Sequence, residues 1–177
     1  MNDRNLLVLD LDETLVFATE RSIDREPDHL VGPYAVYRRP GLTQFLELAF
    51  EHFNVAVWTS SSPAYAQAIC ESIFPDPRRL AFIWASDRCT MRRDFQSDTW
   101  VQIKNFAKLR RRGFDLDRVL VVDDSPEKHV KNYGNLLRVR PYEGAVDDDE
   151  LLALATYLVS LASLRDVRSI EKRRWRK

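Results

Sequence analysis

The stretch Leu6-Leu7-Val8-Leu9-Asp10-Leu11-Asp12-Glu13-Thr14-Leu15 decides how this chain folds. Leu6 to Leu9 form an unbroken apolar run, as in strands covered on both faces inside parallel sheets. The run stops abruptly on Asp10 and Asp12, two residues apart. Desolvating a carboxylate costs several kcal/mol or more unless something offsets it. Two of them at a strand end, with Glu13 and Thr14 behind, therefore call for a cation. In open α/β sheets, ligands bind beyond the C-terminal ends of the strands. A calcium loop of the EF-hand type needs Gly at its sixth position and Glu at its twelfth. Counted from Asp10, those positions hold Leu15 and Arg21, which excludes it. The readings that remain are a plain acidic turn and an aspartate nucleophile at a magnesium-dependent phosphoryl-transfer site.

The rest of the chain repeats the strand-then-polar-end pattern. Asn54 to Trp58 is a second apolar strand, ending on Thr59-Ser60-Ser61-Ser62-Pro63. Ser62 as N-cap with Pro63 at the first helical position predicts a helix to about Phe74. Before it, Leu42, Phe45, Leu46, Ala49, Phe50 and Phe53 recur at helical spacing. Ala81 to Ala85 reads as a third strand. Arg118 to Val122 is a fourth, closing on Asp123-Asp124-Ser125-Pro126, and Leu136 to Val139 a fifth. Tyr34 to Arg38 alternates and predicts a β-hairpin flap over the first strand. Ser86 to Asp98 shows little periodicity, and Thr99 to Arg112 reads as mostly helical. Asp147 to Glu150 suit the N-terminal dipole of a last helix running to about Leu164. Strands alternating with helices predict one doubly wound parallel sheet of about five strands with helices on both faces. Residues 1–164 form this domain, and 165–177 read as a basic tail with seven cations against two acids, expected to fray.

Composition narrows the field. The chain has 177 residues, 45% hydrophobic and 31% charged, as in a soluble globular protein. Lys+Arg and Asp+Glu are both 27, so net charge selects no partner. No apolar run approaches the roughly 20 residues of a membrane span, and the first strand starts too early to leave room for a signal peptide. Cys70 and Cys89 read as reduced, which points to the cytoplasm, or to the nucleus in a eukaryote. His29, His52 and His129 lack metal-ligand spacing and read as ordinary structural or surface histidines. Trp58, Trp84 and Trp100 read as packing residues.

Phosphate monoester hydrolysis needs charge stabilisation and in-line positioning. Asp10 is the candidate nucleophile and Asp12 the candidate acid/base, since alternate strand residues share a face. Asp10, the Asp12 carbonyl and Asp124 are oxygen donors suited to Mg²⁺. Thr59 and Ser60, ahead of a helix N-terminus, offer hydroxyl and N–H groups to phosphate. Lys104 supplies fixed positive charge, with Thr14 and Asp123 in support. Alone, each Thr or Lys would more often be a cap or a surface charge, and Asp123-Asp124 a helix cap.

In order, DLDETL, WTSS, IKNF and DDSP resemble the four motifs of the haloacid dehalogenase superfamily of phosphatases. Tyr34 to Gly41 and Arg88-Cys89-Thr90 are similar to segments of its C-terminal-domain phosphatase branch, also called the Nuclear LIM interactor-interacting factor type. The resemblance covers roughly residues 5 to 160 and implies a haloacid dehalogenase-like fold. It also implies an aspartyl-phosphate intermediate, magnesium, and phosphoserine or phosphothreonine in protein as substrate. Neither cap insertion point offers the roughly 50 residues of a separate domain, so no cap domain is expected. The alternatives are a nucleic-acid-end phosphatase, suggested by the basic tail, and a catalytically silent binding module. A receiver domain has the acidic pair and the acceptor in the reverse order.

Overall fold

The computed structural model describes residues 4–21, 23–94 and 98–176. Its strands and helices follow in chain order as β1 (Leu6–Leu9), β2 (Val16–Thr19), β3 (His29–Val31), β4 (Tyr34–Arg38), α1 (Leu42–His52), β5 (Asn54–Trp58) and α2 (Pro63–Ile73). Then come β6 (Ile83–Trp84), β7 (Thr90–Asp94), β8 (Thr99–Ile103), α3 (Ala107–Arg111), β9 (Val119–Asp123), β10 (Leu136–Arg138) and α4 (Glu150–Leu161). The five apolar runs make one parallel sheet in the order β10-β9-β1-β5-β6.

Alternation within each strand builds two cores. Leu7, Leu9, Val55, Val57, Leu120 and Val122 face α1, α2 and α4. Leu6, Val8, Ala56, Trp58, Val119 and Val121 face the other way, toward α3, Phe106 and Trp84. Side chains of both parities are therefore buried, which is why these strands read as continuous apolar runs. Ser62 caps α2 by accepting from the Tyr65 N–H at 3.4 Å, with Pro63 at the first turn. Gly41 precedes α1 at φ 77, and a Cβ there would lie 2.7 Å from Leu152 Cγ on α4. Only glycine meets both demands.

Successive connections run from β1 outward to β5 and β6, then return to β9 on the other side of β1 and on to β10. The direction reverses between β1 and β9, so the crevice expected at such a switch point lies beyond their C-terminal ends. Over this edge stands the flap, a three-stranded antiparallel sheet β2-β4-β3.

Several expectations need correction. Thr99 to Ile103 is a strand, not the start of a helix: β7 and β8 form an antiparallel hairpin in which Thr90 pairs with Ile103 and Asp94 with Thr99. Residues 95–97, within the segment read as irregular, lie outside the described residues. The hairpin is largely solvated, so the apolar alternation that marks half-buried strands is absent. Trp100 is 66% exposed rather than packed. Ser125-Pro126 opens only a 3₁₀ turn, Pro126–His129.

Residues 165–176 pack against the domain instead of fraying. The Val167 N–H donates to the Asp117 carbonyl at 2.8 Å, and Trp175 Nε1 donates to the Arg138 carbonyl on the edge strand β10 at 2.7 Å. Arg176 reaches Asp149 and Glu150, Arg173 pairs with Glu171, and Arg168 pairs with Asp117. This segment shields a sheet edge that would otherwise offer unpaired backbone groups. Arg168 and Arg176 are thus engaged with acids of the domain itself.

Candidate active site

Each of the four motifs ends at the same edge. Asp10 follows β1, and its N–H donates to the Val122 carbonyl at 3.0 Å, which fixes it beside β9. Its carboxylate is buried and accepts from the Leu11 N–H at 2.9 Å. Lys104, directly after β8, is wholly buried and bridges two strand ends: Nζ lies 2.5 Å from Asp123 Oδ2 and 3.1 Å from Asp10 Oδ2. A buried lysine is tolerable only with such partners. Asp123 also meets His129 Nε2 at 2.8 Å and accepts from the Ser125 N–H at 2.9 Å. Asp124 accepts from Thr14 Oγ1 at 3.1 Å and from Ser125 Oγ at 3.0 Å. Thr14 thus ties the turn after β1 to the end of β9.

Carboxylate oxygens of Asp10, Asp123 and Asp124 lie within 4.8 Å of one another. Burial would push the Asp123 carboxyl up, but Lys104 and His129 outweigh it and hold it well below the usual range. Asp10 goes the other way: burial, then the charge of Asp123, pushes its carboxyl up despite Lys104 and Lys128. More buried negative charge is present than the fixed cations satisfy. An all-oxygen donor set with that deficit fits a hard divalent cation such as Mg²⁺.

Asp12 lies apart from this cluster. Its carboxylate accepts from Ser61 Oγ at 2.7 Å and from Tyr65 O–H at 2.5 Å, at the start of α2. The Tyr65 ring meets Tyr34 of the flap edge-on, with centroids 5.6 Å apart. A groove of about 390 Å³ opens there, lined by Asp12, Phe17, Tyr34 and Tyr65 among others. Thr59 is buried at the end of β5, its Oγ1 accepting from the Ser61 N–H at 3.1 Å, and Ser60 beside it is half-buried. Leu9 pairs with Val57, so Asp10 and Thr59 sit at one edge of neighbouring strands.

Sequence reading missed four side chains. Ser61 and Tyr65 hold Asp12 across 49 and 53 residues. Lys128 lies 3.7 Å from Asp10 Oδ2. His129, read as structural, is fully buried against Asp123 and Phe106. A lysine or histidine on a short turn carries no local sign that it points inward.

Comparison with known proteins places this arrangement. The human carboxy-terminal domain RNA polymerase II polypeptide A small phosphatase 1 is 29% identical over 96% of this chain and 64% of its own length. A CTD small phosphatase-like protein 2 from Dictyostelium discoideum is 30% identical over 92% of this chain and 28% of its own. The chain thus spans less than two thirds of these relatives. The solved structure of the fission yeast RNA polymerase II CTD phosphatase bound to beryllium fluoride superposes with a TM-score of 0.59. It covers 94% of this chain and 53% of that one at 23% identity, which speaks to the fold alone.

The cytoplasmic expectation is overturned by two relatives named for the nuclear envelope. Nuclear envelope morphology protein 1 of Schizosaccharomyces pombe is 27% identical over 94% of this chain and 35% of its own length. CTD nuclear envelope phosphatase 1B of Danio rerio is 26% identical over 96% and 72%. Unpaired cysteines report redox state and do not choose among reducing compartments. No helix among the described residues is long and apolar enough to cross a membrane. The profile of the NLI interacting factor-like phosphatases matches residues 5–168, and the chain belongs to that family.

Proposed function

We propose that this chain is a magnesium-dependent phosphomonoesterase that works through an aspartyl-phosphate on Asp10, with phosphoserine or phosphothreonine in protein as substrate. The carrying observation is the Lys104 bridge between Asp10 and Asp123, which sets a fixed cation against a carboxylate at the sheet's switch point. Asp10, the Asp12 carbonyl and Asp124 would hold Mg²⁺, which when bound supplies charge stabilisation to the phosphate oxygens.

The chain's own groups do the rest. The Asp10 carboxylate attacks phosphorus as the ester oxygen leaves. Lys104 balances the charge gathering there, and Thr59 and Ser60 offer hydroxyl and N–H groups to phosphate oxygens. Asp12 gives a proton to the departing alkoxide, then takes one from the water that opens the intermediate. Ser61 and Tyr65 fix the direction of that carboxylate through its two oxygens.

Asp12→Asn is expected to slow phosphorylation of Asp10 by alkyl phosphates at least ~100-fold, the lower end of acid/base contributions. Nitrophenyl phosphate needs little help to leave and should lose less than about a tenth as much. Equal single-turnover losses on both would remove Asp12 from this role.

Substrate class follows from the open edge. The flap occupies β2 to β4 and the hairpin β7 and β8, so among the described residues no cap covers the site. An open site draws part of its binding energy from contacts beyond the phosphate, and the groove beside Asp12, with Phe17, Tyr34 and Tyr65, is placed to give them. In a panel assayed with Mg²⁺ and with chelator, phosphopeptides should exceed sugar phosphates and nucleotides in kcat/KM by at least ~100-fold, about 2.7 kcal/mol. A small metabolite hydrolysed as well as the best phosphopeptide would refute the open-site argument. Activity unaffected by chelation would refute the metal.

A further inference from the structure

We infer that Lys128 is a second phosphate-binding cation, which makes the site favour doubly charged phosphomonoesters over singly charged phosphate anions. This rests on the reading of Asp10 as the phosphoryl acceptor. The two lysines near Asp10 are differently employed. Lys104 has no exposed side-chain surface, and its ammonium is held between Asp123 Oδ2 and Asp10 Oδ2. Its charge maintains the strand ends.

Lys128 faces the same Asp10 oxygen at 3.7 Å, beyond hydrogen-bond distance, with 25% of its side chain open to solvent. It is therefore close enough to act on the reacting carboxylate, yet its ammonium is not locked onto it. An incoming anion can take up its N–H donors.

Nor is Lys128 a freely swinging surface lysine. Its N–H donates to the Ser125 carbonyl at 3.2 Å, and its carbonyl accepts from the Lys104 N–H at 2.9 Å. Pro126 begins the same 3₁₀ turn, and the next residue, His129, is buried on Asp123. The turn is thus anchored on both sides to the groups that flank Asp10, and the two lysines are joined through their backbones. Only the ammonium end is left to meet a ligand.

Charge accounting explains the selectivity. A phosphomonoester brings two negative charges at neutral pH, whereas a diester brings one. As the Asp10 oxygen bonds to phosphorus, the phosphorus–ester oxygen bond breaks and the leaving oxygen takes the proton from Asp12. The carboxylate charge of Asp10 passes to the leaving oxygen, and the two charges of the phosphoryl group stay facing Lys128. Lys128 makes and breaks no bond in this step; it offsets the phosphoryl dianion before and after transfer.

The experiment is a calorimetric titration of the full chain in Mg²⁺ with inorganic phosphate, and separately with the monoanion dimethyl phosphate, for wild type, Lys128→Gln and Lys128→Arg. Glutamine keeps the length and polarity without the charge. We expect Lys128→Gln to weaken inorganic phosphate at least ~10-fold, with dimethyl phosphate changed less than about a third as much. Lys128→Arg should recover most of the loss, with unfolding midpoints alike in all three proteins. Inorganic phosphate bound within twofold of wild type by Lys128→Gln would overturn the inference, as would equal losses for both anions. A loss that tracks a fall in the unfolding midpoint and is not rescued by arginine would also overturn it. Binding is read without turnover. A wild type that binds phosphate but hydrolyses no monoester contradicts the phosphatase reading, while one that hydrolyses it with an indifferent Lys128 contradicts only this inference.

Discussion

Replacing Asp10 by Asn is expected to lower turnover on an aryl phosphate at least ~10³-fold, about 4 kcal/mol of barrier, with the fold intact. The amide keeps the carboxylate's shape, so it can still accept from the Leu11 N–H and sit beside Lys104. What it loses is the nucleophilic oxygen anion and a charged metal ligand. Steady-state kinetics together with a melting curve check this. Retention of more than a tenth of the wild-type rate, a barrier change below ~1.4 kcal/mol, would show that Asp10 is not the nucleophile.

The second large effect is on stability and lies outside the chemistry. Arg39 ends the flap, and its side chain is fully buried, with Nε and Nη2 on the two oxygens of Asp148 at 2.8 and 2.9 Å. Its Nη1 donates to the Thr14 carbonyl at 3.1 Å, directly supporting the turn that carries Asp12 and Thr14. Arg39→Ala would strand the Asp148 carboxylate and leave the Thr14 carbonyl without this donor. Losing one member of a buried pair costs about 3–5 kcal/mol, which for a chain of this size lowers the melting temperature by about 10 °C. Arg39→Lys should rescue little, because an ammonium cannot make the two-pronged contact. A change below ~1 kcal/mol on denaturant titration would show that the pair is not structural.

Acid should narrow the difference. Burial raises the Asp148 carboxyl, but the hydrogen bonds and charge of Arg39 outweigh it, so its folded value lies below the unfolded one. A depressed carboxylate stabilises the fold above the unfolded value near ~4 and loses that contribution as pH falls through the folded value. Wild type and Arg39→Ala should therefore converge in stability below about pH 4. A gap unchanged at pH 3 would contradict the assignment.

How far the sequence could lead follows from where each signal resides. The sheet was legible because β1, β5 and β9 are buried on both faces and leave unbroken apolar runs, each ending on polar residues. The same runs announced Asp10, Thr59, Asp123 and Asp124, since strand ends bring them to one edge. The β7–β8 hairpin left no such mark: most of its residues are exposed or half-buried, and Val101 and Ile103 among polar neighbours suit a helix as well. Docking of the C-terminal segment depends on single anchors, Val167 and Trp175, that bond to backbone carbonyls of Asp117 and Arg138. Contacts of that kind leave no period in the sequence. For the same reason Tyr65 on Asp12 and Arg39 on Asp148 had to be seen in three dimensions.

The central claim is the covalent step on Asp10. Asp12→Asn, slowed in opening the intermediate, can be mixed with a ³²P-labelled aryl phosphate and Mg²⁺, quenched in acid and separated from free label. The account predicts label on the protein, released by hydroxylamine as an acyl phosphate is, mapping to the peptide that contains Asp10, and absent from the Asp10→Asn, Asp12→Asn double variant. Turnover without protein-bound label, or label that persists in the double variant, would contradict it.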